Sequence, residues 1–398
     1  MDGLLASPFV GFFRDDPYEI LRRIRREQPV TPLLLPDGRT AWLVTRYDDV
    51  RHALADPRLS KGGLISSIGS RPAMPDDVWE ASERHMLAAD PPDHTRLRRL
   101  VQATFTAHRV AAMAATISDI VEDLLDGLAA PGVHDLVREL AFPLPIRVIC
   151  ELLGVPPADR ATFGNRVDVV VAGATRLAEA PAARTALVDY LRGQVAAKRT
   201  DPGPDLLSAL VAARDDGDRL REDEVTATAF LMLIAGYDTT ANLIGNGAYR
   251  LLADRDRWEA LRADPRLLAP TIEEMLRYDS PVQLATHRTT TRDVTIGRRT
   301  IPAGSTVLLS LLSANRDEQH FTEPATFDPA RPGNAHLAFG HGIHYCLGAP
   351  LARLEARVVF TALLARYPDM RLAPNFVLRW RPSTTMHALD SLTVLPTP

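Results

Sequence analysis

Apolar positions recur every three to four residues along most of the chain, which predicts a mostly α fold. Pro17 to Glu27 reads as a short helix. The run from Leu33 through Thr45 reads as a strand hairpin turning at Asp37-Gly38. Thr95 to Leu153 is helical in period, with breaks expected near Pro131-Gly132 and at Pro143. Phe163 to Lys198 reads as two helices parted around Pro181. Glu222 to Ala253 contains no proline and is predicted as one helix of roughly 45 Å at 1.5 Å rise per residue. It is apolar nearly all round in its first half, so it should run through a core. Past Pro281 the pattern shortens to β-rich runs at Val294 and Thr306. A Pro-, Gly- and Asn-rich irregular stretch follows, from Asp317 to Tyr345. Then comes a helix with Leu347, Leu351, Leu354 and Val358 on one face.

Composition narrows the class. The 398 residues show no linker, so a single domain over 1–398 is expected. With 46% hydrophobic and 24% charged residues the chain has an ordinary globular balance and can bury a ligand-sized core. A net charge of −4 argues against nucleic acid as a partner. The two cysteines, Cys150 and Cys346, give no disulfide framework and point to a reducing cytoplasm. The N-terminus turns acidic at once and does not read as a signal peptide. The most apolar run, Phe230 to Gly236, meets Asp238, Thr239 and Thr240 long before about 20 apolar residues accumulate, so no membrane span is expected.

Chemistry concentrates at Phe339 to Gly348, F-G-H-G-I-H-Y-C-L-G. Cys346 stands among Gly340, Gly342 and Gly348, which let backbone approach a ligand and aim N–H groups at one sulfur. A helix starting just past it adds a positive dipole end that favours thiolate. Cys150, in V-I-C-E-L-L, fits the ordinary fate of a free cysteine, buried and inert. Zinc is the rival ligand, since His336, His341 and His344 lie near Cys346, but zinc leaves the glycines unexplained. A second polar cluster, A-G-Y-D-T-T from Ala235, places Asp238 and Thr239 inside the long apolar helix, which is costly unless they are satisfied or used. Gly236 is expected to let that helix depart from regularity. Glu274 and Arg277 share a helix face at i, i+3, with Arg331 following in F-D-P-A-R.

The cysteine stretch matches F-x-x-G-x-x-x-C-x-G, and with A-G-Y-D-T-T and the Glu-Arg-Arg set the chain resembles the cytochromes P-450 over nearly its whole length, most closely soluble actinobacterial members acting on polyketides, macrolides or similar lipophilic metabolites. The resemblance implies the triangular helical prism of that family. It implies heme b with Cys346 as its axial metal ligand, Phe339 packed beside the sulfur and Gly348 in the binding loop. It assigns His94, Arg98, Arg288 and His344 to the propionates. Thr239 then hydrogen-bonds dioxygen and Asp238 relays protons, while Glu274, Arg277 and Arg331 lock the irregular stretch. Substrate would meet Met86, Leu87, Leu231, Ala235, Leu284, Ala285, Thr385 and Met386, a lipophilic lining with few charges. The implied reaction is hydroxylation or epoxidation with O2, fed by NAD(P)H through ferredoxin reductase and a ferredoxin docking near Arg96, Arg99, Arg353 and Arg357. A peroxide-fed or isomerising heme-thiolate enzyme and a heme or ligand carrier stay open, though neither has the same need of the Asp238-Thr239 pair.

Overall fold

The computed structural model describes residues 17–35, 38–61, 74–171, 176, 178–215 and 218–397. The expected turn residue Asp37 lies outside them; its neighbour Gly38 has φ +82°. The chain divides into two compact units, each assembled from separated stretches. The first comprises 1–60, 121–141 and 239–398, and the second 61–120 and 142–238.

The first unit holds the sheets. Val30–Leu34 and Thr40–Val44 form the predicted antiparallel hairpin. Thr306–Leu309 joins parallel to Thr40–Val44, followed by Arg288–Thr290 and Leu59–Ser60. Val44, Val307 and Leu309 of these strands are buried with Tyr47, Val50 and Leu54 of the helix Tyr47–Ala55. Phe321 and Leu337, from the irregular stretch, complete that core. Between Ala314 and Gly342 the described backbone forms neither helix nor strand, as its Pro and Gly content predicts. The helix Ala349–Arg366 buries Leu351 and Leu354 as expected. Its buried face continues through Val359, Phe360 and Leu363 rather than Val358, and Leu347 lies ahead of its start.

The second unit is helical. Arg160–Val171 and Ala180–Thr200 are the two predicted helices, and Pro181 sits in the first turn of the latter, where a missing N–H costs nothing. Pro143 likewise opens the helix Pro143–Leu153 instead of breaking one. The region from Thr95 has an additional break at Phe105, between Asp93–Thr104 and Ala107–Gly127.

Glu222–Leu252 is one unbroken helix, its first half in the second unit and its last residues in the first. The expected irregularity at Gly236 is absent. The glycine serves packing instead: a Cβ there would come 2.8 Å from Ile149 Cδ1. Among the described residues no helix is long and apolar enough to cross a membrane.

Candidate heme-thiolate site

The cysteine loop is built from short backbone bonds. Cys346 N–H donates to Phe339 O (3.0 Å), Gly340 N–H to Leu337 O (2.8 Å), and Tyr345 N–H to Gly342 O (3.0 Å). Gly340 and Gly342 both take φ +74°, the left-handed region where a side chain is strained. At Gly342 a Cβ would also press on Leu54 O and Ala55 Cα at 3.1 Å, so the loop closes only with glycine there. The chain then enters Ala349–Arg366 with Gly348 as its N-cap residue. The Cys346 side chain is exposed.

Cys150 is buried, and burial pushes its thiol up to about 11, so it stays protonated and inert. No three His, Cys, Asp or Glu residues among those described are grouped to hold a metal ion. His336 instead bonds Glu273 at 3.1 Å, which removes the zinc reading. One accessible sulfur at a helix N-terminus, without companion ligands, suits a metal that brings its own equatorial donors, and heme is such a group.

The residues behind the loop are locked. Arg277 donates to both Glu274 oxygens at 2.7 Å, and both side chains are fully buried. Arg277 also bonds the carbonyls of Asn315 (2.9 Å), Pro324 (2.9 Å) and Thr326 (3.0 Å). Glu274 accepts from Asp328 N–H at 2.8 Å, and Arg331 Nε lies 3.5 Å from its Oε1. The Glu-Arg-Arg set therefore holds the irregular stretch that leads to the cysteine.

Glu273, the neighbour of Glu274, has its own part. It takes two bonds from Arg353 (2.6 and 2.8 Å), whose guanidinium lies 4.5 Å over the Phe339 ring. Burial would raise the Glu273 carboxyl, but Arg353 and His336 hold it down at about 2. The signal for this residue was the cation four residues into the last helix, which no local spacing ties to Glu273. Arg353 is thus committed to Glu273, and Arg96 to Glu224 and Asp218, so neither is simply offered to an electron donor as expected. Arg99 and Arg357 are exposed.

Among the other predicted residues, Arg288 is buried in its strand and donates to Thr286 O at 3.0 Å, and His344 sits half-buried in the turn Gly342–His344. In the second unit His94 is buried and Arg98 half-buried, one turn apart on Asp93–Thr104. Asp238 is buried and Thr239 half-buried. The long helix is not core all round: Leu231 is half-buried and Ala235, one turn on, is exposed, so this helix keeps an open apolar face. Met86 is buried and Leu87 half-buried in the turn Met86–Ala88, Leu284 is fully buried, Ala285 and Met386 are half-buried, and Thr385 is exposed.

Nine residues past the cysteine, Glu355 is buried, with Oε2 lacking a hydrogen-bond partner. Burial raises its carboxyl to about 8. An exposed glutamate titrates near 4.3, so between about pH 4.3 and 8 the folded state binds a proton that the unfolded chain does not. Stability from this group is present at low pH and falls as pH rises towards 8, by up to about 1.4 kcal/mol per unit. Glu355→Gln is expected to flatten that slope and to be the more stable form at pH 8. Denaturant midpoints at pH 5 to 8 check this, and parallel slopes for both proteins refute it.

Comparison with known proteins shows the family. The family model described as cytochrome P-450 matches residues 185–368. Cytochrome P-450 107B1 of Saccharopolyspora erythraea is 46% identical, covering 98% of this chain and 97% of its own length. The cytochrome P-450 monooxygenase PikC of Streptomyces venezuelae is 46% identical over 96% of this chain and 91% of its own. The ligand-free structure of the P-450 monooxygenase TamI matches with a TM-score of 0.88 at 44% identity, covering 100% of this chain and 96% of that one. The chain belongs to the cytochrome P-450 family. It is a heme-binding monooxygenase, an oxidoreductase like the relatives named as monooxygenases and hydroxylases.

Proposed function

We propose that this enzyme hydroxylates or epoxidises a lipophilic secondary metabolite of the polyketide or macrolide kind, with Cys346 as the axial ligand of heme b. The observation that carries the reading is the accessible Cys346 sulfur, held at a helix N-terminus by a loop only glycine can form. Heme b, when bound, supplies the activation of O2 that side chains cannot perform. Inserting one oxygen atom and releasing the other as water consumes two electrons and two protons. Asp238 is the group able to take up and pass a proton at its carboxylate, and the Thr239 hydroxyl both donates and accepts. His94, Arg98, Arg288 and His344 meet the propionates, where arginine forks suit carboxylates.

The substrate class is supported by the open apolar face at Leu231 and Ala235, with Met86, Leu87, Ala285 and Met386. It is supported too by the tirandamycin C found in a structure of TamI and by a relative named 6-deoxyerythronolide B hydroxylase. Electrons come from NAD(P)H through ferredoxin reductase and a ferredoxin. Neither Cys150 nor Cys346 is in a disulfide, which suits a reducing cytoplasm.

The test is Thr239→Ala. It is expected to bind heme and ferredoxin and to consume NAD(P)H, but to release peroxide in place of most product. Asp238→Asn slows turnover, about a hundredfold for loss of a positioned proton donor. A product-to-NAD(P)H ratio unchanged in Thr239→Ala overturns the proton assignment. In the same assay, turnover that persists without ferredoxin overturns the partner.

A further inference from the structure

In the first unit a buried polar cluster joins the helix Pro17–Glu27 to the segment 383–387. Its centre is Asp279, buried just past the helix Leu268–Tyr278. Arg250 answers the carboxylate with two bonds, from Nε to Oδ2 and from Nη2 to Oδ1, the latter at 3.1 Å. Burial would raise the Asp279 carboxyl, but Arg250 and His387 hold it well below the usual range, so it is ionised and only accepts. A second arm leaves it on the other side. The Tyr18 hydroxyl donates to Asp279 Oδ1 and stands 3.0 Å from Nε2 of the buried His387. With the Tyr18 proton given to the carboxylate, His387 Nε2–H is the donor to the phenol oxygen. Burial lowers the His387 pKa, with Arg316 and Arg250 adding to the effect against the opposing pull of Asp279. The ring is therefore neutral at pH 7. Trp380 stacks on it, with ring centroids 3.8 Å apart.

Charge balance does not need this second arm, since Arg250 supplies it. Buried polar clusters add little net stability over apolar packing, and a well-attested use of them is to specify one arrangement. The arrangement specified here is visible in the backbone of His387. Its N–H donates to Pro281 O at 2.9 Å, and its C=O accepts from Asn246 Nδ2 at 2.8 Å. One residue back, Met386 pairs antiparallel with Val282, and Gln283 N–H donates to Thr385 O at 2.9 Å. Ala285 N–H donates to Leu309 O at 2.9 Å, which ties 281–285 in turn to the strand Thr306–Leu309. Successive side chains of extended backbone face opposite ways. With His387 turned into the cluster, Met386 faces away from it. Methionine is flexible, so where it stands depends on how firmly its backbone is held.

We propose that Tyr18 and His387 are positioning residues for substrate selectivity: their hydrogen bond, anchored on Asp279, fixes the segment 383–387 and with it the place of Met386 in the substrate wall. This rests on the reading of Met386 and Ala285 as substrate-facing. The sequence hid the pair because 369 positions separate the two residues.

The experiment is optical titration of the ferric holoenzyme with 4-phenylimidazole and with imidazole. Both bind iron through nitrogen, and only the phenyl ring meets the substrate wall, so the ratio of the two Kd values reads the wall. Wild type is expected to prefer 4-phenylimidazole about thirtyfold, the worth of burying one phenyl ring. Met386→Ala, Tyr18→Phe and His387→Phe are each expected to lower that preference about fivefold to tenfold, the range for freeing one ordered side chain. His387→Gln keeps an N–H donor and is expected to retain most of it. Denaturant midpoints of the same variants report stability, and Tyr18→Phe carries the test alone if His387→Phe does not fold. A preference within about twofold of wild type in Tyr18→Phe and His387→Phe, when Met386→Ala loses it, makes the cluster merely structural and overturns the proposal. A preference untouched by Met386→Ala overturns the substrate-wall reading and the proposal with it. The reduced carbon monoxide spectrum of the same samples reports the heme-thiolate reading separately.

Discussion

Cys346→Ser and Cys346→His are expected to lose the shifted Soret band of a thiolate heme in the ferrous carbon monoxide spectrum, and with it all monooxygenase turnover. No other residue can step in. Cys150 is the remaining cysteine, and a thiol raised to about 11 leaves on the order of one molecule in ten thousand as thiolate at pH 7. It also lies buried in the helix Pro143–Leu153. Cys150→Ser is accordingly expected to keep the spectrum unchanged. Imidazole in place of Cys346 could still bind iron, so heme retention alone does not decide the matter; the band position does. Survival of the thiolate band in Cys346→Ser refutes the ligand assignment.

Arg277→Ala is expected to cost about 3–5 kcal/mol, enough to prevent recovery of folded holoenzyme. The substitution strands Glu274 as a buried charge and releases three backbone carbonyls between Asn315 and Thr326. Arg331 does not replace it. Its guanidinium stands 3.5 Å from Glu274 and is occupied by the carbonyls of Thr322, Glu323 and Thr326. Arg277→Lys keeps the charge but has no fork, so it is expected to recover only part of the loss. Denaturant unfolding of each variant, with holoprotein yield, measures the effect. A midpoint for Arg277→Ala near wild type refutes the locking role.

These outcomes bear on what can be read along a chain. The helix Glu222–Leu252 was legible because nothing interrupts its period, and the hairpin because Asp37-Gly38 stands between two apolar runs. Glu274 and Arg277 were legible because a helix places i and i+3 side by side. What escaped depends on partners distant in sequence. The pairing of Arg353 with Glu273 spans 80 residues, and that of Arg96 with Glu224 spans 128. From the sequence alone, both arginines read as exposed cations. Gly236 read as a point where the helix departs from regularity, yet it leaves room for Ile149, and contact with a distant side chain leaves no local trace. Pro143 and Pro181 read as breaks because proline ends helices in mid-course; at a first turn it starts them.

The parallel pairing of Thr40–Val44 with Thr306–Leu309 sets the order of events on the ribosome. At about 5–20 residues per second, the early hairpin waits on the order of ten seconds to a minute for its third strand to be synthesised. Through that interval the inner edge of Thr40–Val44 offers unpaired N–H and C=O groups to any other nascent chain. Yield in a heterologous host should therefore depend on translation speed and on chaperones that shield this edge, more than on the stability of the finished enzyme.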